Sequence, residues 1–186
     1  VNLFGQEYAC VVADPPWKFG DALPGKSRGA ANNYACLSVD ELLRFPFRGS
    51  EEFPIIADNA WLFLWRVAAM VEEAYKVVRA WGFTPKSEIV WRKMTSTGKE
   101  HFGMGRYVRA SHEICIVATR GTPEVLSHSV RSIFEAATGE HSQKPDAFFQ
   151  IVESLAPGPY VEMFARRRRP RWDALGNEVP AQEAVG

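Results

Sequence analysis

A chain of 186 residues, 46% apolar and 24% charged, has the makings of one soluble globular domain with a sizeable core. Its formal net charge is zero, so a global field is excluded as the means of meeting a nucleic acid, and local patches would have to serve. No run approaches the ~20 apolar residues needed to span a bilayer, and no signal-like segment opens the chain.

The first element is the apolar run Tyr8-Ala9-Cys10-Val11-Val12-Ala13, which reads as a strand buried on both faces. Asp14-Pro15-Pro16-Trp17 follows it directly. Each proline fixes φ and lacks an N–H, so the pair stops the strand, and the residue before each is held extended. A carboxylate, carbonyls without competing N–H groups and an indole are therefore expected at the carboxyl end of a buried strand, where open α/β sheets bind ligands. From Lys18 to Leu37 a long polar loop rich in Gly, Pro and Asn follows. Ser38-Val39-Asp40-Glu41 is a capping box that opens a short helix ended by Pro46.

Asp58-Asn59 precede a second buried strand, Ala60 to Trp65. Apolar residues at 67, 70, 71, 74, 75, 78 and 81 predict a helix from Val67 to Trp81, stopped by Gly82. Glu88-Ile89-Val90-Trp91 suggests a third strand, and a second long loop runs from Met94 to Ala110. Glu113 to Thr119 is a fourth strand, and Val130 to Phe134 a short edge strand. His141-Ser142-Gln143-Lys144-Pro145-Asp146 opens a helix reaching Leu155, with Pro145 near its first turn and residues 148, 151, 152 and 155 on its apolar face. Tyr160 to Phe164 is the last strand expected, followed by Arg166-Arg167-Arg168-Arg169. One domain over residues 1–179 and a frayed tail over 180–186 complete the layout. Strands alternating with helices and long loops point to an α/β sheet. The three cysteines, Cys10, Cys36 and Cys115, are an odd number without metal-ligand spacing, and two lie in apolar runs. No metal, a reducing interior and a cytoplasmic location (nucleoid-associated in a bacterium) are expected.

Asp14-Pro15-Pro16-Trp17 resembles the catalytic signature of adenine-N6 methyltransferases that use S-adenosylmethionine, and the chain is similar to the MT-A70 family. The likeness extends in order through Asn33-Tyr34, Leu37 to Leu42, Leu62-Phe63-Leu64-Trp65, Glu88 to Trp91, Ser111-His112-Glu113, His141 to Asp146, Glu162 to Arg166, Trp172 and Gly176-Asn177. A tetrapeptide alone would be weak, whereas an ordered set over nearly the whole chain is specific. The resemblance implies a Rossmann-like methyltransferase fold: a mostly parallel sheet flanked by helices, permuted so that the catalytic strand precedes the cofactor strand.

It also assigns roles. The exocyclic amine of adenine is a poor nucleophile because its lone pair is delocalised, and acceptors on its two N–H bonds help it to pyramidalise. Asp14 takes one N–H, the Pro15 carbonyl takes the other, Pro16 stiffens the turn and Trp17 offers a stacking face. Lys144, beside a helix N-terminus, is implied to meet the cofactor's carboxylate. Glu162, Phe164, Arg166, Asn177 and Glu178, together with Asp14, are implied around the rest of the cofactor. Two departures stand out: Arg167, Arg168 and Arg169 occupy places where the eukaryotic enzymes carry His or Asn, and Glu178 stands where they have Gln.

Lys18, Lys26 and Arg28 on the first loop, and Lys93, Lys99, Arg106 and Arg109 on the second, are candidates for phosphate binding beside the pocket. The expected partner is DNA with a flipped or single-stranded adenine, and RNA is the alternative. The short chain also suggests a bacterial or phage enzyme and a second subunit, such as another copy of itself, to hold the strand. The competing class is a non-catalytic nucleic-acid-binding subunit, against which the intact Asp14-Pro15-Pro16-Trp17 and Lys144 argue.

Overall fold

The computed structural model describes residues 6–18, 36–45, 55–103, 107–139 and 143–176. Among the described residues seven strands form one sheet in the order β5-β3-β4-β2-β1-β6-β7: β1 (Glu7–Ala13), β2 (Ile55–Arg66), β3 (Thr84–Met94), β4 (His112–Arg120), β5 (Ile133–Ala137), β6 (Tyr160–Met163) and β7 (Trp172–Leu175). Four of the six pairings are parallel, and β4 runs antiparallel to both its neighbours. The sheet is thus mostly parallel, as expected. β1 sits between β2 and β6, which explains its unbroken apolar run: a parallel strand covered on both faces needs apolar residues at successive positions.

The pleat divides the core. Val11, Ala13, Leu62, Leu64, Val161 and Met163 face α1 (Val39–Leu43) and α2 (Val71–Ala80), while Cys10, Val12, Phe63, Trp65, Cys115 and Trp91 face α3 (Asp146–Leu155). A bulge near the start of β1, where Ala9 and Cys10 both donate to the Pro159 carbonyl, turns Tyr8 onto the first face. There its hydroxyl donates to Asp173 of β7 at 2.7 Å.

The capping box at Ser38 forms in full, Glu41 returning to the Ser38 N–H. Pro46 lies outside the described residues. Several boundaries differ from the sequence reading. β2 starts at Ile55, because Asp58 and Asn59 belong to an irregular stretch of the strand, and Asn59 Oδ1 accepts the Thr122 N–H at 2.8 Å. α2 begins at Val71, with Val67 and Met70 in the preceding turn, and Gly82 ends it at φ 83° as expected. Pro145 is the N-cap of α3 rather than a first-turn residue, and Phe149 joins Phe148 and Val152 in its buried face. The edge strand lies at Ile133–Ala137, displaced from the expected 130–134. Tyr160–Met163 is not the last strand, since β7 adds to its outer side.

Among the described residues no helix is long and apolar enough to cross a membrane, and no three His, Cys, Asp or Glu side chains are grouped to hold a metal.

Candidate active site

The register fixes where the site forms. Ala13 pairs with Leu64 on one side and Met163 on the other, so Asp14, Trp65 and Phe164 are the next residues of three adjacent parallel strands. The antiparallel β4 brings its amino end to this same rim, opposite the end of β3: Glu113 pairs with Trp91. α3 begins at the rim too, with Lys144 just ahead of it. Residues distant in sequence therefore meet at the carboxyl edge of the parallel strands.

Four charges alternate there. Lys144 Nζ lies 2.6 Å from Asp14 Oδ2 and 3.2 Å from Glu113 Oε2, and Lys93 Nζ lies 2.6 Å from Glu113 Oε1. The Lys144 side chain is 8% exposed and its ammonium stands 5.1 Å from the centre of the Trp65 ring. Burial alone would lower its pKa, but Asp14 and Glu113 outweigh that and raise it, so the ammonium stays charged. For Glu113, burial would raise the pKa, but Lys144 and Lys93 hold it below the usual carboxylate range. Lys144 is no solvated lysine beside a cap.

The Asp-Pro-Pro-Trp segment is more tightly bonded than its sequence suggests. Trp17 N–H donates to the Pro15 carbonyl at 2.8 Å, and Leu37 N–H to the Pro16 carbonyl at 2.8 Å. Both prolyl carbonyls thus accept main-chain N–H groups, contrary to the expectation of carbonyls without competing donors, and the Pro15 oxygen keeps one lone pair. The Trp17 indole is 4% exposed and donates to the Trp65 carbonyl at 3.0 Å. Its ring is largely core, tying the turn to β2, and offers little open face for stacking.

A cleft of about 340 Å³ opens above this array. Asp14, Pro15, Pro16 and Trp17 line it on the β1 side, Lys93, His112 and Glu113 across the sheet, and Trp65 and Arg66 between them. Arg66 is held by Glu88 at 3.2 Å, which also accepts the Tyr75 hydroxyl at 3.2 Å. A second, narrower recess joins Asp14 and Lys144 to Gln143, Glu162, Phe164, Arg166 and Arg169. Phe164 turns away from β6 at φ 59°, an uncommon conformation for a residue with a side chain and one that collects at ligand sites. Glu162 is 9% exposed; burial raises its pKa and Arg169 opposes the rise.

Of the residues singled out from sequence, Asp14, Pro15, Pro16, Trp17, Lys144, Glu162, Phe164 and Arg166 gather around these two connected spaces. Glu162 pairs with Arg169 at 3.2 Å. Lys93 is not an outward phosphate contact, because it is inside the cleft and paired with Glu113. Lys18, Lys99 and Arg109 are exposed. Lys26, Arg28, Arg106, Asn177 and Glu178 lie outside the described residues. Sequence reasoning gave no site role to Glu113 or Arg66; Glu113 stood only within the Ser111-His112-Glu113 match, and an acid opening the apolar run Glu113 to Thr119 was the signal that could have promoted it.

A recess carrying Asp14 and Glu162 on one side and Lys144 on the other suits a ligand with both an ammonium and a carboxylate, as an amino-acid-bearing nucleoside has. Gly176 fits the same edge closely, since a Cβ there would stand 2.2 Å from the Ala165 carbonyl oxygen. The donor set therefore matches such a ligand in charge.

The MT-A70 family model matches residues 8–178 of the chain. The chain is 28% identical over 189 residues to the N(6)-adenosine-methyltransferase catalytic subunit METTL3 of Homo sapiens, covering 96% of this chain and 29% of that protein. It is 27% identical to the N(6)-adenosine-methyltransferase MT-A70-like protein of Drosophila melanogaster, covering 93% and 27%. To the type II methyltransferase M.MunI of Mycoplasma sp it is 27% identical over 196 residues, covering 94% of this chain and 79% of that protein. The chain thus spans less than a third of the length of the animal relatives and most of the length of the mycoplasmal one.

Proposed function

The chain belongs to the MT-A70 family, and on that premise we propose that it transfers a methyl group from S-adenosylmethionine to the N6 amine of adenine in a nucleic acid, DNA in first place. The observation that carries this reading is the position of Asp14: a carboxylate at the end of the interior strand β1, 24% exposed and opening onto a cleft of about 340 Å³. DNA comes first because the chain accounts for most of a type II methyltransferase.

Asp14 accepts one N–H of the amine, and the remaining lone pair of the Pro15 carbonyl accepts the other. Both are presented by a turn stiffened by two prolines and by the Trp17–Trp65 bond, so their directions are set before the substrate arrives. Their negative potential steadies the positive charge that grows on the nitrogen as it attacks. The cofactor supplies a methyl group already activated on a sulfonium. Lys144 would hold its carboxylate, Asp14 and Glu162 its positively charged and hydroxyl groups, and Phe164 and Arg166 line the same recess. The walls of the cleft exclude water and align the two reactants, from which most of the rate enhancement would come. A base paired in a duplex has to be flipped out to reach Asp14.

The test is transfer of labelled methyl groups to matched single-stranded DNA, duplex DNA and RNA, followed by nucleoside analysis. Label in N6-methyladenine of DNA is the expected product. Label confined to RNA would move the substrate assignment to RNA, and no transfer to any of the three would refute the activity.

A further inference from the structure

Arg169 lies just beyond β6, among the arginines that depart from the eukaryotic pattern, and its side chain is only 9% exposed. The guanidinium carbon stands over Phe149, 3.6 Å from the ring centre. All three of its nitrogens are engaged: Nε donates to Glu162 Oε2 at 3.2 Å, Nη1 to Asp146, and Nη2 to the main-chain carbonyl of Lys144 at 3.4 Å. Those partners belong to the end of β6, the first turn of α3, and the residue whose ammonium meets Asp14. Pro145, the N-cap of α3, makes no side-chain hydrogen bond, so the fork of Arg169 supplies an anchor that the helix start does not provide for itself.

We infer that Arg169 is a positioning residue for the cofactor recess: from the recess wall, with all three of its nitrogens already engaged, it fixes the main chain of Lys144 and the carboxylate of Glu162, an inference that rests on reading the recess as the S-adenosylmethionine site. Two functions are combined in one side chain. The bond to the Lys144 carbonyl sets the height from which the Lys144 side chain reaches into the site. The bond to Glu162 opposes the rise in pKa that burial imposes on this carboxylate; Arg167 also favours the charged form, and Asp14 opposes it. A lysine at 169 would supply the charge but not the planar fork. Glutamine would supply a donor without the charge.

The experiment is calorimetric titration of S-adenosylmethionine into the wild type, Arg169→Gln and Arg169→Lys across the neutral pH range, with steady-state methylation alongside. Arg169→Gln is expected to weaken cofactor binding, and raise its KM, by about 10–100-fold while leaving kcat at saturation within about threefold, since misplacement acts before chemistry. Its binding should also improve more steeply with rising pH than that of the wild type, because Glu162 then has to ionise without Arg169. Arg169→Lys should restore the wild-type pH profile and only part of the affinity. An unchanged Kd in Arg169→Gln, or equal pH profiles in all three proteins, would overturn the inference. Should Arg169→Gln not fold, Glu162→Gln serves in its place, with weaker binding and no pH dependence expected and wild-type affinity the overturning result. Failure of the wild type to bind the cofactor would instead sink the reading of the recess, so the two failures are distinguishable.

Discussion

Lys144→Met removes the charge at the centre of the rim array while keeping much of the side chain's volume. Stripping one partner from a fully buried ion pair costs roughly 3–5 kcal/mol, mostly because the other charge is left uncompensated. Here Asp14 and Glu113 keep 24% and 25% of their side-chain exposure, and Lys93 remains on Glu113. Water and Lys93 recover part of the loss, and a destabilisation of about 1–3 kcal/mol is expected. A lost hydrogen bond to a charged group weakens ligand binding by about 1.5–3 kcal/mol, or roughly 10–100-fold in Kd for the cofactor. Because that contact is common to ground and transition states, KM should rise with kcat largely kept.

The pH dependence has a sign on each limb. The raised pKa of Lys144 contributes stability that is fully present below the unfolded lysine value near about 10.4 and is lost as pH rises through the folded value. Glu113, held low, contributes stability present above about 4.3 and lost as pH falls through its folded value. In Lys144→Met the alkaline limb from this residue disappears and the acid limb weakens. Denaturant unfolding across pH and calorimetric titration read both effects. A variant with wild-type stability and wild-type cofactor affinity would refute the assignment of Lys144.

Asp14→Ala should lower methyl transfer by at least about 10²-fold with the circular dichroism spectrum kept, as expected for loss of a preorganised acceptor; retained turnover would remove Asp14 from the chemistry. Trp17→Phe leaves the Trp65 carbonyl without its indole donor and should cost about 1–3 kcal/mol, read as a lower denaturant midpoint; no shift would mean that the bond does not hold the turn. Gly176→Ala drives a Cβ to 2.2 Å from the Ala165 oxygen and 2.6 Å from its nitrogen, so β7 must shift. A loss of about 1–3 kcal/mol is expected, together with a higher KM for the cofactor because Phe164 precedes the displaced residue; wild-type values for both would show that the contact relaxes freely.

What the sequence made legible followed from burial. Apolar runs flanked by Gly and Pro gave β1 and the cores of β2, β4 and β6, and the capping box gave α1. β7 escaped because a four-residue strand at the edge, partly exposed at three of its positions, leaves no apolar run. The direction of β4 was not legible either, since an apolar strand reads the same in both directions, yet that reversal is what brings Glu113 to Asp14's end of the sheet. Arg92 and Lys93 are consecutive basic residues, but the pleat sends them to opposite faces. Arg92 pairs with Glu100 and Glu135, and Lys93 enters the cleft. A charge run inside a strand has to be read with period two.

The same array explains how such a site can form before any ligand arrives. Asp14, Lys144, Glu113 and Lys93 alternate in sign and sum to zero, so each half-buried charge is compensated by its neighbours rather than by water. A ligand with both an ammonium and a carboxylate can then exchange into the array, its cation taking Asp14 and its anion taking Lys144, without leaving any charge alone. Charge neutrality of the array has a thermodynamic signature. Replacing Asp14 by Asn together with Lys144 by Met removes one charge of each sign, so the double variant should be more stable than Lys144→Met by about 1–2 kcal/mol. Denaturant unfolding of the four members of that cycle measures the coupling; simple additivity of the two single losses would mean that the charges are held independently, and that neutrality of the array is not what stabilises the site.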